Sequence, residues 1–458
     1  MAQDRGIHVR FASDGNGERL SGGGMDRAGS APRRSTPTSF VRHTDPATTA
    51  AFDAYVAALD RGASILVRPQ AAFDGLDRVI DAVGGLATGP LLVTDLESSV
   101  STFRPPEPAG SGGPVLAYHT SGSTGSPKCV VYQHEQVHSH AQAVIDAVRL
   151  DEEFAWVALP PARFAYGLSI VTTHHLAGIP VTFTPSTWGL PGLTRVAAQD
   201  GRPLAVYALP QHTPLLLASE ITPERLGRLI VAGGRLSGTA LAALARRFPA
   251  MRLTNMYGQA EMGPRLAVWE GSPSEFTEGL IGRPIAGVSL DVADVDLTEE
   301  TRSDTVHPNA GAVAAGELLA RSDHAMSWWL RAPYDRLEEF SGRAEPQRTG
   351  DLGVRLPSGA LSHQGRADHI VNVAGTKVDV RRIVAIVQEV AHPLLVGVGS
   401  RPTRVGGDEV PIIEIVPDGP APCETAPIRR ALHAEFGSLA ALFTLTYVDR
   451  LTVKESGK

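Results

Sequence analysis

The stretch VLAYHTSGSTGSPK, residues 115–128, carries the strongest signal in this chain of 458 residues. Its first six residues form the apolar, β-branched run that is typical of a buried strand. The strand leads directly into a loop of serine, threonine and glycine that ends at Lys128. Small residues let the backbone approach an anion closely, N–H groups and hydroxyls hold phosphate oxygens, and the lysine supplies compensating charge. The pattern predicts a phosphate-binding loop over residues 120–128.

The spacing of this loop differs from the P-loop pattern GxxxxGK[ST]. Pro127 precedes the lysine and Cys129 follows it. The mismatch argues against a motor or switch NTPase. For the loop taken alone, a flexible serine- and glycine-rich connector remains the simplest alternative.

The composition excludes several classes of protein. Hydrophobic residues make up 43% of the chain and charged residues 20%, and the formal net charge is −7. This profile is typical of a soluble globular protein and lacks the basic excess of a nucleic-acid-binding protein. No run of about 20 apolar residues is present to span a bilayer, and two distant cysteines exclude a disulfide framework. We expect a cytoplasmic protein without a nucleic-acid or membrane partner.

The organisation of the chain changes twice. Residues 1–48 are polar and lack apolar periodicity, which predicts disorder. From residue 49, strand and helix signals alternate, which predicts an α/β fold with a mainly parallel sheet covered by helices. After Gly365, short strands and two amphipathic helices, at Val380–Val390 and Pro427–Phe436, predict a small α+β domain.

Four further motifs follow the loop in a fixed order. They are Asn255-Met256-Tyr257-Gly258-Gln259-Ala260-Glu261, Arg348-Thr349-Gly350-Asp351, Gly365-Arg366-Ala367-Asp368 and Lys454-Glu455-Ser456-Gly457-Lys458. In order and spacing, the five motifs resemble the adenylate-forming superfamily of acyl-CoA synthetases, carrier-protein adenylation domains and luciferases. The resemblance covers nearly everything after residue 50. It implies a large N-terminal domain of mainly parallel sheets with packed helices and a β-barrel-like subdomain, and a small mobile C-terminal α+β domain.

The resemblance also implies where the domains end. After the segment 1–48, for which the composition predicts disorder, it places a large ATP- and acid-binding domain at 49–367 and a small domain at 368–458 after a hinge at Asp368. Relatives of this kind have a larger subdomain before the phosphate loop, so the N-terminal part is expected to be shortened. The surface left by that shortening favours a partner or a second copy, and a homodimer is therefore one expected assembly.

The resemblance assigns the nucleotide site to residues from several motifs. Tyr257 would stack on adenine, and Asp351 would accept hydrogen bonds from the ribose hydroxyls. Glu261 would bind Mg²⁺, a hard cation that prefers carboxylate and phosphate oxygens. The implied nucleotide-binding residues are Thr120, Ser121, Gly122, Ser123, Thr124, Gly125, Gly233, Gly234, Arg235, Asn255, Met256, Tyr257, Gly258 and Asp351.

Three basic residues are implied to stabilise the reaction. Lys458 would bridge the acyl carboxylate and the α-phosphate, Lys128 would balance phosphate charge, and Arg366 would contact the ribose or phosphates. In this superfamily the small domain rotates about its hinge between the two half-reactions. Gly375 would then line the tunnel that admits the thiol of CoA or of a carrier protein's phosphopantetheine.

The acid is expected to be an aryl or short acyl carboxylate. Amino-acid-activating relatives carry an aspartate at the position that aligns with Ala165, and a buried ammonium without a counter-charge is costly. The expected wall of the acid pocket is formed by Phe164, Tyr166, Tyr207, Gly233 and Met262. Ordinary core packing is the alternative interpretation of these residues.

Two departures from the superfamily pattern leave alternatives open. Threonine is usual where Ala260 stands, and lysine is usual at Asn372. These losses are the reason to consider a degenerate, nucleotide-binding regulatory protein without turnover. Among active enzymes, an amine or another nitrogen nucleophile is the alternative to a thiol acceptor.

Overall fold

A computed structural model describes most of the chain after residue 40. The described residues are 41–43, 46–69, 75–87, 89–96, 100–103, 113–120, 128–184, 189–294, 314–366, 370–373, 376–391, 395–402, 409–417 and 424–448. They belong to two compact units. The first comprises residues up to 278 with 284–289 and 321–346, and the second comprises 279–283, 290–320 and 347–458. The boundaries at 367 and 368 inferred from the sequence stay a prediction.

Strands and helices alternate along the chain as the sequence pattern predicts. The strands are β1 Val41–His43, β2 Ser64–Val67, β3 Leu91–Thr94, β4 Val100–Phe103, β5 Val115–Thr120, β6 Lys128–Gln133, β7 Ala155–Ala158, β8 Val181–Phe183, β9 Leu204–Ala208, β10 Leu226–Val231, β11 Arg252–Gln259, β12 Gly263–Gly271, β13 Leu280–Pro284, β14 Val288–Asp294, β15 Ala314–Ser322, β16 Trp328–Leu330, β17 Glu338–Glu339, β18 Gln347–Arg355, β19 Leu361–Arg366, β20 Ile370–Val373, β21 Thr376–Asp379, β22 Leu395–Pro402, β23 Glu409–Val416 and β24 Thr444–Tyr447. The helices are α1 Pro46–Asp60, α2 Leu76–Leu86, α3 His134–Val148, α4 Ala165–Ala177, α5 Gly189–Gln199, α6 Thr213–Ala218, α7 Gly238–Arg247, α8 Val380–Ala391 and α9 Thr425–Phe436.

The first unit is built on two sheets. In one sheet the strands follow the order β1-β8-β7-β9-β10-β11-β12, and in the other β17-β16-β6-β5-β2-β3-β4. In the first sheet, neighbouring strands pair in parallel along the order β8-β7-β9-β10-β11. Strand β12 pairs with β11 in the antiparallel direction. Strands β7 and β9 are buried along their whole length, as expected when helices cover both faces of a parallel sheet. The predicted α/β architecture is confirmed.

Regular structure is present before residue 49, where the composition places the start of the fold. Strand β1 pairs in parallel with β8, with Val41 opposite Val181, and α1 begins at Pro46. These residues fall inside the segment 1–48 that was expected to be disordered. The reason is a pairing between residues 140 positions apart, which local composition does not reveal. Residues 1–40 lie outside the described part.

The second unit combines an antiparallel sheet with a small α+β part. The sheet order is β13-β19-β18-β15-β14. The α+β part contains the β20–β21 hairpin, the three-stranded sheet β22-β23-β24 and helices α8 and α9. Helix α8 buries Val380, Ile383 and Val387 in the core of this part, as its helical spacing predicts. Among the described residues, no helix is long and apolar enough to cross a membrane.

Candidate active site

The phosphate-loop motif lies at a hairpin between two strands of the first unit. Strand β5 ends at Thr120 and β6 begins at Lys128, and these two residues face each other in the antiparallel register. The ammonium of Lys128 lies 5.9 Å from the centroid of the Trp329 ring. The base of the predicted loop is therefore fixed by a strand pair. The predicted phosphate ligands Ser121, Gly122, Ser123, Thr124 and Gly125 lie outside the described residues.

Two tyrosines tie this hairpin to the motif at residues 255–261. The rings of Tyr118 and Tyr132 stack with their centroids 5.7 Å apart, at an interplanar angle of 7°. The Tyr118 hydroxyl donates a 3.2 Å hydrogen bond to the carbonyl oxygen of Ala260, and the Tyr132 hydroxyl donates to the same oxygen. The N–H of Gly263 donates to the Tyr132 hydroxyl at 3.2 Å. We call this arrangement the tyrosine clamp.

The sequence interpretation missed the clamp. Both tyrosines read as ordinary residues of buried strands, and no spacing rule links them to a turn about 130 residues away. Burial raises the pKa of both phenols well above its usual range, and the carboxylate of Glu261 adds to that rise. The phenols therefore stay protonated and can act as donors. Two chemical motifs that are distant in sequence become neighbours through them.

Glu261, the predicted metal ligand, lies immediately after the clamped residue. Its backbone carbonyl accepts a 3.0 Å hydrogen bond from the N–H of Met326. Within the part of the chain that the structure describes, its carboxylate forms no ion pair, and no group of three or more His, Cys, Asp or Glu could hold a metal. Mg²⁺ is commonly held by one or two carboxylates together with substrate phosphates. A single half-buried carboxylate near the β5–β6 hairpin fits such a shared ion.

The remaining adenine-motif residues lie within β11. Asn255 and Met256 are buried, Tyr257 is half-buried, and Gly258 is exposed. A Cβ atom on Gly258 would lie 2.0 Å from the carbonyl oxygen of Pro264, so no side chain fits there. The structure thus places Tyr257 beside a glycine of β11 that the close approach of the β12 backbone requires.

The predicted purine border lies at the turn after β10. Gly233 has φ 75°, a left-handed conformation that favours glycine. A Cβ on Gly234 would come 3.1 Å from Pro210. The Arg235 guanidinium forms a 2.8 Å ion pair with Glu278, and both side chains are partly exposed.

The predicted ribose residues lie together in the second unit. Asp351 on β18 and Arg366 on β19 are cross-strand partners, and Arg366 Nη1 lies 3.3 Å from Asp351 Oδ1. His363 Nε2 lies 3.5 Å from the same oxygen. Gly350 has φ 74°, and a Cβ there would lie 2.9 Å from the Arg366 guanidinium. The fold therefore brings two predicted residues from separate motifs into contact.

The residues predicted to line the acid pocket do not form one open wall. Tyr207 is fully buried, and its hydroxyl lies 3.0 Å from His174 Nε2. Tyr166 is buried against it in an edge-on contact, with ring centroids 6.3 Å apart. Met262 is buried beside Gly342, whereas Phe164 is 42% exposed and carries the Arg163 guanidinium over its ring.

A small cavity lies next to the tyrosine clamp. It has a volume of about 30 Å³. Its lining residues are Leu116, Tyr118, Tyr132, Gln136, Val137, His140, Ala141, Ala165, Leu168, Ser169, Thr172, Thr173 and Pro264. The lining includes Ala165 and contains no aspartate or glutamate.

The predicted residues of the small domain lie outside the described part. These are the catalytic Lys458, the hinge Asp368 and the thiol-tunnel Gly375. The backbone of Asn372 pairs with Lys377 in the β20–β21 hairpin.

The model for "AMP-binding enzyme" matches residues 52–329, which is more than half of the chain. The chain belongs to the AMP-binding enzyme family. It is thus a member of the adenylate-forming superfamily that the five motifs indicate.

The chain is also similar to individual synthetases in sequence and in fold. Surfactin synthase subunit 1 of Bacillus subtilis is 26% identical over 315 residues, covering 64% of this chain, and the chain spans 8% of the length of that synthase. The o-succinylbenzoate coenzyme A synthetase of Bacillus subtilis, solved with ATP and magnesium, has a TM-score of 0.61 at 15% identity, covering 90% of this chain and 81% of that one. The amide bond synthetase McbA of Marinactinospora thermotolerans has a TM-score of 0.53 at 19% identity, covering 75% and 66%. The two structural likenesses establish a shared fold.

Proposed function

We propose that this AMP-binding enzyme is an ATP- and Mg²⁺-dependent ligase that activates a carboxylic acid as its acyl adenylate. One oxygen of the acid's carboxylate would bond to the α-phosphorus of ATP, and the bond from that phosphorus to the leaving pyrophosphate would break. A second nucleophile would then take the acyl group and release AMP. Catalysis of this kind depends on positioning and on neutralising phosphate charge.

The observation that carries this proposal is the tyrosine clamp. It holds strands β5 and β6, whose facing ends Thr120 and Lys128 flank the predicted phosphate loop, to the turn that contains Glu261. This proximity supports a shared site for the ATP phosphates and Mg²⁺. We assign the β- and γ-phosphates to the loop and to Lys128. Tyr257 and Gly233-Gly234-Arg235 are assigned to the purine, and Asp351 with Arg366 to the ribose.

The remaining roles are assigned to the small C-terminal domain, which moves in the proposed mechanism. Lys458 is assigned to the acyl carboxylate and α-phosphate in the first half-reaction. Asp368 is assigned to the hinge, and Gly375 to the thiol tunnel of the second half-reaction. The thiol of CoA, or of a carrier protein's phosphopantetheine, is the proposed acceptor.

We infer that the acid is not an α-amino acid. The cavity lining contains Ala165 where amino-acid-activating relatives place an aspartate, and it contains no carboxylate. An ammonium group buried there would lack a counter-charge. An aryl or short acyl acid fits the apolar and tyrosine-rich surroundings better.

A nitrogen acceptor is the second candidate for the transfer step. It is supported by the likeness of the fold to an amide bond synthetase. The alternative to both transfer reactions is a regulatory protein that binds a nucleotide without turnover. The reason to consider it is that Ala260 stands where the superfamily usually has threonine.

Pyrophosphate release tests the proposal directly. The full chain is incubated with ATP, Mg²⁺ and a panel of aryl, short acyl and α-amino acids. We expect acid-dependent release with some aryl or acyl acids and none with α-amino acids. CoA, phosphopantetheine and simple amines are then added separately, and the product containing the acyl group identifies the acceptor. ATP binding without release for any acid would support the regulatory alternative.

A further inference from the structure

Asp351, the predicted ribose carboxylate, lies on a bulge in the antiparallel sheet of the second unit. The register between β15 and β18 shifts after Glu317, so that residues 349–351 of β18 lie opposite the single residue Leu318 of β15. A bulge of this kind interrupts the ladder of hydrogen bonds and changes the direction of the side chains that it carries. The backbone N–H groups within it therefore need acceptors other than the neighbouring strand's carbonyls.

Two side chains supply these acceptors. The N–H of Gly350 donates to Glu317 Oε1 at 3.0 Å. The N–H of Asp351 donates to the Thr349 hydroxyl at 3.1 Å, and that hydroxyl donates to the carbonyl oxygen of Leu318 at 2.8 Å. The bulge is thus held by one side chain of its own and by one side chain of β15.

Gly350 is also confined on the side of the Arg366 guanidinium. It has φ 74°, a left-handed conformation that favours glycine. A Cβ atom there would lie 2.9 Å from Arg366 Nη2, and Arg366 Nη1 lies 3.3 Å from Asp351 Oδ1. The position of the Gly350 peptide therefore affects both members of the Asp351–Arg366 pair.

Glu317 makes a second contact, which contributes less. Its Oε2 lies 2.6 Å from Arg348 Nη1, but the Arg348 side chain is 65% exposed. Exposed ion pairs stabilise a protein little. A backbone N–H that loses its acceptor in a partly buried place is more costly. The contact of Glu317 with Gly350 is therefore the one that fixes the bulge.

We propose that Glu317 is a positioning residue for nucleotide binding. Its carboxylate holds the Gly350 peptide in the conformation that orients Asp351 and Arg366 toward the ribose hydroxyls. This inference rests on the proposed ligase function, because Asp351 and Arg366 are assigned to the ribose only within it. Glu317 acts through Gly350.

Comparison of ATP with dideoxy-ATP, which lacks both ribose hydroxyls, tests this role. Pyrophosphate release with an acid that the enzyme accepts gives kcat/KM for each nucleotide. Wild type is expected to prefer ATP about tenfold or more, because hydrogen bonds to a charged group are strong. Glu317→Met is expected to reduce this preference to about threefold or less, through a higher KM for ATP. Its kcat/KM for dideoxy-ATP should stay within about threefold of wild type.

Glu317→Gln is the conservative variant. It keeps an oxygen that can accept the Gly350 N–H and loses only the charge toward Arg348, so its preference for ATP should lie within about threefold of wild type. If Glu317→Met does not fold, Glu317→Asp replaces it. Its side chain is shorter by one methylene and holds Gly350 less well, so the preference should fall below that of Glu317→Gln.

Asp291→Leu is the matched control in the same sheet. Asp291 Oδ1 lies 2.8 Å from Arg355 Nη2, at the other end of β18, and accepts the N–H of Val292 at 2.8 Å. This carboxylate therefore makes the same two kinds of contact as Glu317. Its loss is expected to leave the preference for ATP unchanged.

A double variant separates positioning from a general structural role. If Glu317 acts through Asp351, Glu317→Met should lower kcat/KM for ATP no more than about twofold further when Asp351→Asn is already present. Losses that simply add in the double variant would contradict the proposed coupling.

The outcomes also separate this inference from the ligase proposal. Equal losses for both nucleotides in Glu317→Met, or a preference for ATP that survives this change, would overturn the positioning role and leave the ligase intact. If no acid releases pyrophosphate, calorimetry with ATP and dideoxy-ATP decides. Selective binding of ATP that Glu317→Met removes would support the role of Glu317 without the ligase, and absence of such selectivity would overturn both.

Discussion

The hydroxyl of Tyr118 donates a 3.2 Å hydrogen bond to the carbonyl oxygen of Ala260. Tyr132, stacked on Tyr118, donates to the same oxygen. A carbonyl has two lone pairs, so one oxygen can accept both bonds. The β5–β6 hairpin is thereby held to the turn that carries Glu261, and this contact is the basis of the first two predictions.

Tyr132→Phe is expected to loosen the clamp. The change removes a donor to Ala260 and the acceptor of the Gly263 N–H, so the free energy of unfolding should fall by about 1–3 kcal/mol. Urea denaturation measures this loss. Tyr55→Phe removes a comparable buried hydroxyl, bonded to Thr172 at 2.8 Å, and serves as the control. Both variants should lose stability, but only Tyr132→Phe should slow pyrophosphate release.

Ala260→Thr is expected to speed adenylation about two- to tenfold. The added hydroxyl would supply the hydrogen bond to the phosphates that the superfamily pattern usually provides, and one such bond contributes about 0.5–1.5 kcal/mol. Pyrophosphate release at saturating ATP measures the rate. Ala260→Val adds similar bulk without a hydroxyl and should give no gain. A rate increase with valine would indicate that packing, and not the hydroxyl, limits the reaction.

Glu261→Gln is expected to weaken the binding of Mg²⁺. The amide retains the shape of the side chain but loses its negative charge, so a higher Mg²⁺ concentration should be needed for half-maximal pyrophosphate release. Titration of Mg²⁺ at fixed ATP measures the shift. Glu275→Gln, at an exposed position before β13, is the control. An unchanged Mg²⁺ titration in Glu261→Gln would remove Glu261 from the metal site.

Lys458→Ala is expected to separate the two half-reactions. Loss of this lysine should abolish acyl-adenylate formation, because its charge would be needed on the α-phosphate. Thioester formation from supplied acyl adenylate should be largely spared. Lys454→Ala, four residues earlier, is the matched control. Equal loss of both half-reactions in Lys458→Ala would contradict the two-state assignment.

Acidification is expected to destabilise the first unit between pH 6.5 and 5. Burial lowers the pKa of His140 and His174 to about 3 and that of His119 to about 4. In this range the unfolded chain binds protons at these histidines and the folded chain does not, so stability falls as the pH falls. Each fully buried histidine should cost about 2 kcal/mol by pH 5.

Urea midpoints at pH 7 and pH 5 measure this effect. His174→Asn should reduce the difference between the two midpoints, since it removes one of the groups that titrates only when unfolded. His433→Asn, at an exposed position on α9, should leave the difference unchanged. A larger pH dependence in His174→Asn than in wild type would contradict this account.

Local pattern predicted the elements of this fold well. The apolar run around Ala117 forms strand β5, and the helical spacing at Val380–Val390 forms α8. These signals arise from neighbours in sequence, which the periodicity of side chains exposes. Strand β1 was missed because its stability comes from pairing with β8, far along the chain.

The features of the candidate site also divide into those that the sequence predicts and those that only the tertiary structure reveals. The sequence by itself determined the family, the phosphate loop ending at Lys128 and the residue types suited to nucleotide and Mg²⁺, because motif spacing is a property of the chain. Only the tertiary structure decided that Tyr118 and Tyr132 converge on Ala260, and that Glu317 holds the N–H of Gly350 beside Asp351. Such contacts join residues 33 to 142 positions apart, and their energies depend on burial and on geometry, which sequence spacing does not encode.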